Sequence, residues 1–264
     1  MTTIINVFIQ VFGILAAITT ICLGFPQLLH LRKTKKTGNV NYLSFWIFYF
    51  GLLVWLVLGV FGGNEDGWYI FVANFICTII YSFTMFYLHY YDQNRKEKTL
   101  SKVVIAITFF VLFTIAMFAV FSVLVYHKIK FNKFYPEKGA LIKWMTGTES
   151  LIFGLIAPSF TTLAFMPQLI ISFKNKDFKG LTPWMPSIFL VNNTWWIIFF
   201  SLSIVNAKNQ GLGLQDGAMT AFIGGLIWQI ISTIVYAIQL AFILHYKELE
   251  HKHAHEIKMQ QKSA

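Results

Sequence analysis

Seven long stretches of this chain carry no Asp, Glu, Lys or Arg, and they constrain its fold more than any other feature. Each is longer than the ~20 residues that a helix needs to cross a bilayer. A soluble domain would interleave charged faces with apolar stripes and hold about 25% charged residues, whereas this chain holds 12%. The stretches therefore predict an all-α integral membrane protein with seven transmembrane helices. They cover residues 1–31, 37–64, 67–91, 103–127, 150–173, 180–207 and 217–246.

A Pro-Gln dipeptide occurs twice, as Pro26-Gln27 near the end of the first stretch and as Pro167-Gln168 near the end of the fifth. Each copy is followed by a short basic segment, a glycine and another aromatic-rich apolar stretch. Proline inside a helix removes a backbone hydrogen bond and clashes with the preceding turn, so each copy predicts a kink or hinge. The glutamines bring a donor and an acceptor to the same depth, where freed carbonyls find no water. The two matching copies, 141 residues apart, predict an internal duplication.

The duplication divides the chain into three helices, one helix and three more. We expect a first three-helix repeat in residues 1–95, a linker helix with its loop in 96–149, a second repeat in 150–246 and a cytoplasmic tail in 247–264. Three crossings reverse the direction of the chain, so one extra helix lets the two repeats lie parallel in the membrane. The predicted helices cover roughly 5–31, 42–62, 68–91, 103–127, 150–173, 182–205 and 217–246.

The net charge of +10 is best explained by membrane topology. If the N-terminus lies outside, 15 of the 21 Lys and Arg residues fall in cytoplasmic segments, as the positive-inside rule expects. The exception is the connection 128–149, which carries five lysines on the outer side. We therefore expect a multi-pass protein of the cell membrane with its C-terminus in the cytoplasm. The partners expected are the lipid bilayer and a small-molecule solute, with no nucleic acid. The sequence leaves open the oligomeric state, a homo-oligomer included, and the choice between an organelle and the plasma membrane.

The paired Pro-Gln motifs, the basic loop after each and the 3+1+3 layout resemble the PQ-loop superfamily. This group includes the SWEET sugar transporters, the half-size SemiSWEETs and the cystinosin-like exporters. The resemblance covers about residues 5–91 and 150–246. It implies a transporter that opens its central cavity to each side of the membrane in turn, with moving hinges at Pro26 and Pro167.

Amides inside the apolar stretches are candidates for a solute site, because an unpaired amide in hydrocarbon is costly. Asn74 and Gln229 occupy matching depths in the third and seventh helices, which predicts one shared central site. The resemblance implies a pair of asparagines on these two helices that bind the substrate, and Gln229 departs from that pattern by one methylene.

Tryptophans on the second helix of each repeat complete the candidate site. The resemblance implies that they form apolar walls around the solute. Trp55 is expected to be the first wall, and Trp196 or its neighbour Trp195 the second. Asn192 and Asn193, one turn before those tryptophans, add polar candidates in the second repeat.

Amides and aromatic faces without charge suit a neutral polyhydroxylated solute, so a small sugar is the first expectation. No Asp or Glu lies within the seven stretches, whereas the resemblance implies intramembrane acids in proton-coupled relatives. Two alternatives stay open. One is a proton-coupled exporter of an amino acid or other small metabolite, using Glu149 or Asp216, and the other is a non-transporting PQ-loop receptor. No catalytic or metal motif is present, so neither an enzyme nor a cofactor is predicted.

Overall fold

Over the residues that it describes, the computed structural model contains seven helices and no strand. We number the helices in chain order: α1 Thr2–Thr34, α2 Tyr42–Phe61, α3 Trp68–Tyr90, α4 Glu97–Phe131, α5 Gly147–Leu163, α6 Trp184–Asn209 and α7 Gly217–Ser263. The structure describes residues 2–37, 40–62, 68–93, 97–132, 144–164, 166–167, 170, 174 and 183–263. Six of these helices are long and apolar enough to cross a membrane. The described part of α5 is 17 residues long and lies in the apolar stretch 150–173.

Six of the helices form a closed ring. Within the first repeat α3 packs between α1 and α2, and within the second α7 packs between α5 and α6. The two bundles then meet along two seams, α1 against α6 and α2 against α5. Both bundles thus share one neighbour pattern, which confirms the predicted architecture of two three-helix bundles.

Helix α4 lies outside this ring, where it packs on α3 and α2. Phe121 and Leu124 bury themselves against that surface, while Ile105 and Phe109 on the other face are 69% and 66% exposed. An apolar helix with one packed face and one exposed apolar face is suited to contact with lipid. Helix α4 is therefore the linker of the 3+1+3 layout and contributes nothing to the interior of the ring.

Glycines let the helices of each bundle approach closely. A Cβ atom on Gly224 of α7 would lie 2.9 Å from the backbone carbon of Gly154 in α5. In the first bundle, a Cβ on Gly59 of α2 would lie 2.7 Å from the backbone nitrogen of Phe71 in α3. Small residues at such contacts allow the van der Waals packing that holds membrane helices together.

Three helices run further than the apolar pattern predicts. Helix α1 continues through Pro26 to Thr34, and α4, at Glu97–Phe131, extends beyond the predicted 103–127 at both ends, further at its start than at its end. Helix α7 continues to Ser263, so the backbone of the predicted tail 247–264 is helical through residue 263. We call the end of the ring that carries Arg32 and Lys33, in the last turn of α1, the basic end.

Candidate functional site

A cavity lies at the centre of the ring, and all six ring helices contribute to its wall. It offers about 50 Å³ to the centres of water molecules, which is room for a few of them. None of the described residues that line it carries a charge. They are Thr20, Leu23, Phe48, Leu52, Trp55, Ile70, Asn74, Thr161, Thr162, Phe189, Asn192, Asn193, Trp196, Gln229 and Ser232.

Asn74 and Gln229 both face this cavity from opposite bundles. Asn74 is 4% exposed, and its Nδ2 donates to the carbonyl of Ile70 one turn earlier at 2.8 Å. That bond uses one of its two amide hydrogens, so the other hydrogen and Oδ1 have no partner among the described residues. Gln229 is 8% exposed. The pair therefore places amide groups on two sides of one central space.

Gln229 belongs to a buried polar network with Asn193 and Ser232. Asn193 is 2% exposed, and its amide is oriented by the groups around it. The orientation that satisfies them lets Nδ2 donate to Gln229 Oε1 at 2.8 Å, while Oδ1 accepts from Ser232 Oγ at 2.8 Å. With its oxygen engaged in this way, Gln229 keeps its NH₂ group for a molecule in the cavity.

Asn192, the residue before Asn193, is held from across the seam between α1 and α6. Its Oδ1 accepts hydrogen bonds from Thr20 Oγ1 at 2.8 Å and from Thr19 Oγ1 at 2.9 Å. Trp196 Nε1 also donates to Thr20 Oγ1, at 2.9 Å. Asn192 and Trp196, both predicted from the sequence, thus share one partner on the opposite bundle.

The other seam repeats part of this arrangement. Trp55 Nε1 of α2 donates to Thr161 Oγ1 of α5 at 3.3 Å. The residue of α2 that matches Asn192 is Gly51, whose Cβ, if it had one, would lie 2.9 Å from side-chain carbons of Phe160 and Thr161. The cavity is therefore asymmetric, with an amide at this position in the second repeat and closely packed backbone in the first.

Trp195 does not line the cavity. Its ring stacks on Phe12 at a centroid distance of 5.8 Å, on a different face of α6 from Trp196. Of the two tryptophans that the sequence offered as the second wall, the structure places Trp196 at the cavity.

The residues predicted as hinges lie on the basic side of the cavity. Pro26 is exposed within α1, and Gln27 beside it is half-buried. Pro167 is helical and half-buried, and Gln168 lies outside the described residues. The described residues form no hydrogen bond with the Gln27 side chain that would tie it to a neighbouring helix.

Aromatic contacts between the bundles narrow the ring on both sides of the cavity. Towards the basic end, Phe48 and Phe189 meet edge to face with ring centroids 6.2 Å apart. Towards the opposite end, Tyr69 and Phe199 meet in the same way at 5.8 Å. These contacts lie on the path along the ring axis, so a solute that crosses the ring must pass them.

Neither carboxylate that the proton-coupled alternative invokes reaches the cavity. Glu149 forms a capping box with Thr146 at the start of α5, accepting from the Thr146 backbone N–H at 2.8 Å. That bond and a second from the Thr146 hydroxyl lower the pKa of Glu149 from its ordinary value. Asp216 accepts from the backbone N–H of Gly213 at 2.7 Å, just before α7. Both carboxylates stabilise local chain turns.

Sequence reasoning missed Thr20 and Thr161. The offset of 141 that pairs Pro26 with Pro167 also pairs Thr20 with Thr161, so the two threonines could have been found from the duplication. Asn193 has no polar counterpart in the first repeat, where the matching residue is Leu52, and its signal is that of Asn192, an amide inside an apolar stretch.

Comparison with known proteins gives a match to a family model and a match to a solved structure. A family model described as "Sugar efflux transporter for intercellular exchange" matches residues 10–96, which is about the whole first repeat. The solved structure of a eukaryotic SWEET transporter superposes with a TM-score of 0.53 at 12% sequence identity, over 93% of this chain and 99% of that one. No curated protein sequence matches the chain.

The first match is a likeness of sequence that is confined to the first repeat. The second shows that 93% of the chain shares the fold of the SWEET transporter. The structural match agrees with the closed ring of two bundles and the excluded fourth helix. The first repeat therefore resembles a family described as sugar efflux transporters, and the chain shares the fold of a eukaryotic SWEET transporter.

Proposed function

We propose that this protein moves a small neutral polar solute, in the first place a sugar, across the membrane by alternating access. The observation that carries the proposal is the uncharged central cavity between two bundles. It presents the amides of Asn74, Asn192 and Gln229 between the aromatic faces of Trp55 and Trp196. Amides can both donate to and accept from hydroxyl groups, and aromatic faces pack against the C–H face of a sugar ring.

The family description supports a sugar as the solute class. It names sugar efflux for the proteins that the model represents, and the matched segment 10–96 includes Trp55 and Asn74. Thr20 of the cavity wall also lies in that segment, and the remaining polar groups of the cavity come from the second repeat. Together they leave more N–H donors than acceptors free, which suits a solute rich in oxygen atoms.

Passage through the ring requires movement, because aromatic contacts narrow both ends. We propose that Pro26, Gln27, Pro167 and Gln168 form the hinges of that movement, one pair in each repeat. Proline leaves a carbonyl one turn earlier without its helical partner, so the helix bends there at lower cost than elsewhere.

The proposal is tested by uptake of labelled sugars and neutral amino acids into proteoliposomes, with and without a pH gradient. We expect saturable sugar uptake that is indifferent to the gradient. Asn74→Ala and Trp196→Phe should reduce that uptake strongly. Trp195→Phe is the matched control, since its ring packs on Phe12 outside the cavity, and it should retain wild-type uptake.

Other outcomes would assign the protein to one of the alternatives. Amino-acid uptake driven by the proton gradient would make it a proton-coupled exporter. Absence of flux for every solute, from protein shown to be folded, would favour a receptor. Equal uptake by Asn74→Ala and wild type would show that the solute does not bind at Asn74 in the cavity.

We further propose that the protein lies in the cell membrane with its N-terminus outside and its C-terminus in the cytoplasm. The support is the excess of Lys and Arg in the segments assigned to the inside. A cysteine at Gln210, in the turn after α6, should then react with a membrane-impermeant thiol reagent in intact cells. A cysteine at Gln261 should react only after the cells are opened. The reverse pattern would invert the orientation.

A further inference from the structure

The seam between α1 and α6 is bonded differently from the seam between α2 and α5, and Thr20 is the residue responsible. Thr20 is 7% exposed and lies at the wall of the cavity. Its hydroxyl has one hydrogen, which it donates to Asn192 Oδ1 at 2.8 Å, and it accepts from Trp196 Nε1 at 2.9 Å. One side chain thus fixes two residues of the opposite bundle.

The neighbouring threonine cannot replace it. Thr19 Oγ1 lies within hydrogen-bond distance of Asn192 Oδ1, but also of the carbonyls of Leu15 and Ala16 in its own helix. Its single hydrogen is therefore shared among three acceptors. The Thr20 hydrogen is directed to Asn192, the one acceptor that the described residues offer it.

The matching residue on the other seam does less. Thr161 accepts from Trp55 Nε1 at 3.3 Å, a longer bond than that of Trp196. Its own hydrogen is directed to carbonyls of its own helix, Pro158 at 3.1 Å and Ala157 at 3.5 Å. It has no amide to hold, because the residue that would face it is Gly51. Because the two repeats match, Thr161 serves as an internal control for Thr20.

We propose that Thr20 is a positioning residue that presets Asn192 as a hydrogen-bond donor to the solute. With Oδ1 occupied by hydroxyls of α1, the Asn192 amide presents its NH₂ group to the cavity, and the Trp196 indole is fixed beside it. The solute atom that binds to this NH₂ group is then an acceptor oxygen. The inference rests on the proposed function and deepens it, since it assigns the binding specificity of the second repeat to a residue of the first.

Substitution of Thr20 separates this role from simple packing. Thr20→Val keeps the shape of the side chain and removes the hydroxyl, so we expect the KM for the transported solute to rise about tenfold while the maximal rate changes little. Thr20→Ser keeps the hydroxyl and should restore the wild-type KM. Thr161→Val removes one long hydrogen bond and should raise KM by less than about threefold.

A second measurement reports the geometry without transport. In protein labelled with ¹⁵N-tryptophan, the indole N–H signal of Trp196 is identified by its loss in Trp196→Phe. We expect this proton to exchange slowly with deuterated water in wild type, Thr20→Ser and Thr161→Val, and rapidly in Thr20→Val.

The two readouts distinguish the failure of this inference from that of the proposed function. If the wild-type protein transports none of the solutes, the proposed function fails. The role of Thr20 in positioning is still supported if the Trp196 indole proton exchanges slowly in wild type and rapidly in Thr20→Val. Unchanged exchange in Thr20→Val overturns the inference. Equal rises in KM for Thr20→Val and Thr161→Val would also overturn it.

Discussion

At the scale of single residues, the polar groups of this interior matter because they lie where water does not compensate a lost hydrogen bond. Asn193 is the clearest case, since it joins Gln229 on one side to Ser232 on the other while lying 2% exposed. Removing it leaves an oxygen of Gln229 without its donor and the Ser232 hydroxyl without its acceptor. Interhelical hydrogen bonds in membranes contribute about 0.6 kcal/mol on average, with larger values where a partner stays buried and unpaired.

Asn193→Leu should therefore lower the free energy of unfolding by about 1–2 kcal/mol. The expected result is a lower thermal unfolding midpoint in detergent. Thr194→Val is the matched control, because that exposed side chain bonds only the carbonyl of Leu190 in its own helix. Equal midpoints for the two variants would show that the network does not stabilise the fold.

The sequence predicts some residues of the site and not others, for physical reasons. Asn74 and Gln229 could be found because an amide stands out in an apolar helix and the duplication pairs the two. Thr20 could not be singled out by its type, since threonines in membrane helices commonly bond a carbonyl one turn earlier. Thr84 and Thr108 do so here. The duplication pairs Thr20 with Thr161, but the contact of Thr20 with Asn192 follows only from the packing of α1 against α6.

At the scale of helices, hydropathy predicts which segments cross the membrane better than it predicts where they end. Helix ends depend on caps and on the local backbone. Helix α1 ends beyond its apolar stretch, where Lys35 adopts a positive φ of 52°. Helix α7 continues into a segment rich in Lys, Glu and Gln, which are good helix formers, and that segment contains neither Pro nor Gly to stop it.

The contact between α5 and α7 depends on two glycines. Gly224→Ala would place a methyl group about 3 Å from the Gly154 backbone, and backbone cannot move aside as a flexible side chain can. We expect the variant to lose about 1–3 kcal/mol of stability through overpacking. Gly213→Ala is the control, because its added methyl meets only side-chain atoms of Gln215. Thermal unfolding that does not distinguish the two variants would contradict this account.

The start of α5 gives a prediction about pH. The folded-state pKa of Glu149 is lowered by its bonds to Thr146, so its contribution to stability is present above the unfolded-state pKa. That contribution is lost as the pH falls through the folded-state value. In Glu149→Gln, the loss of stability that this carboxylate causes at acidic pH should therefore be absent. Uptake by the variant should keep its wild-type response to a pH gradient. A gradient response abolished in Glu149→Gln would support proton coupling instead.

At the scale of the whole molecule, the ring consists of two bundles that share one neighbour pattern and meet along two seams. Packed bundles move as rigid bodies more readily than they deform. Contacts between bundles must then change during transport, while contacts within a bundle persist. Phe48 makes both kinds of contact. Its ring centroid lies 6.2 Å from that of Phe189 in the other bundle and 4.8 Å from that of Tyr81 in its own bundle.

This difference predicts the effect of linking the bundles at the basic end. In a background with Cys22→Ser and Cys77→Ala, cysteines replace Phe48 and Phe189, and a short bifunctional thiol reagent with a reducible spacer joins them. Uptake measured before linking should be lost after it and return on reduction, because the joined ends cannot part to admit a solute. The pair Phe48→Cys and Tyr81→Cys should keep its uptake when linked, since both residues move with one bundle. Transport that continues through the cross-bundle link would show that the solute does not depend on opening between Phe48 and Phe189.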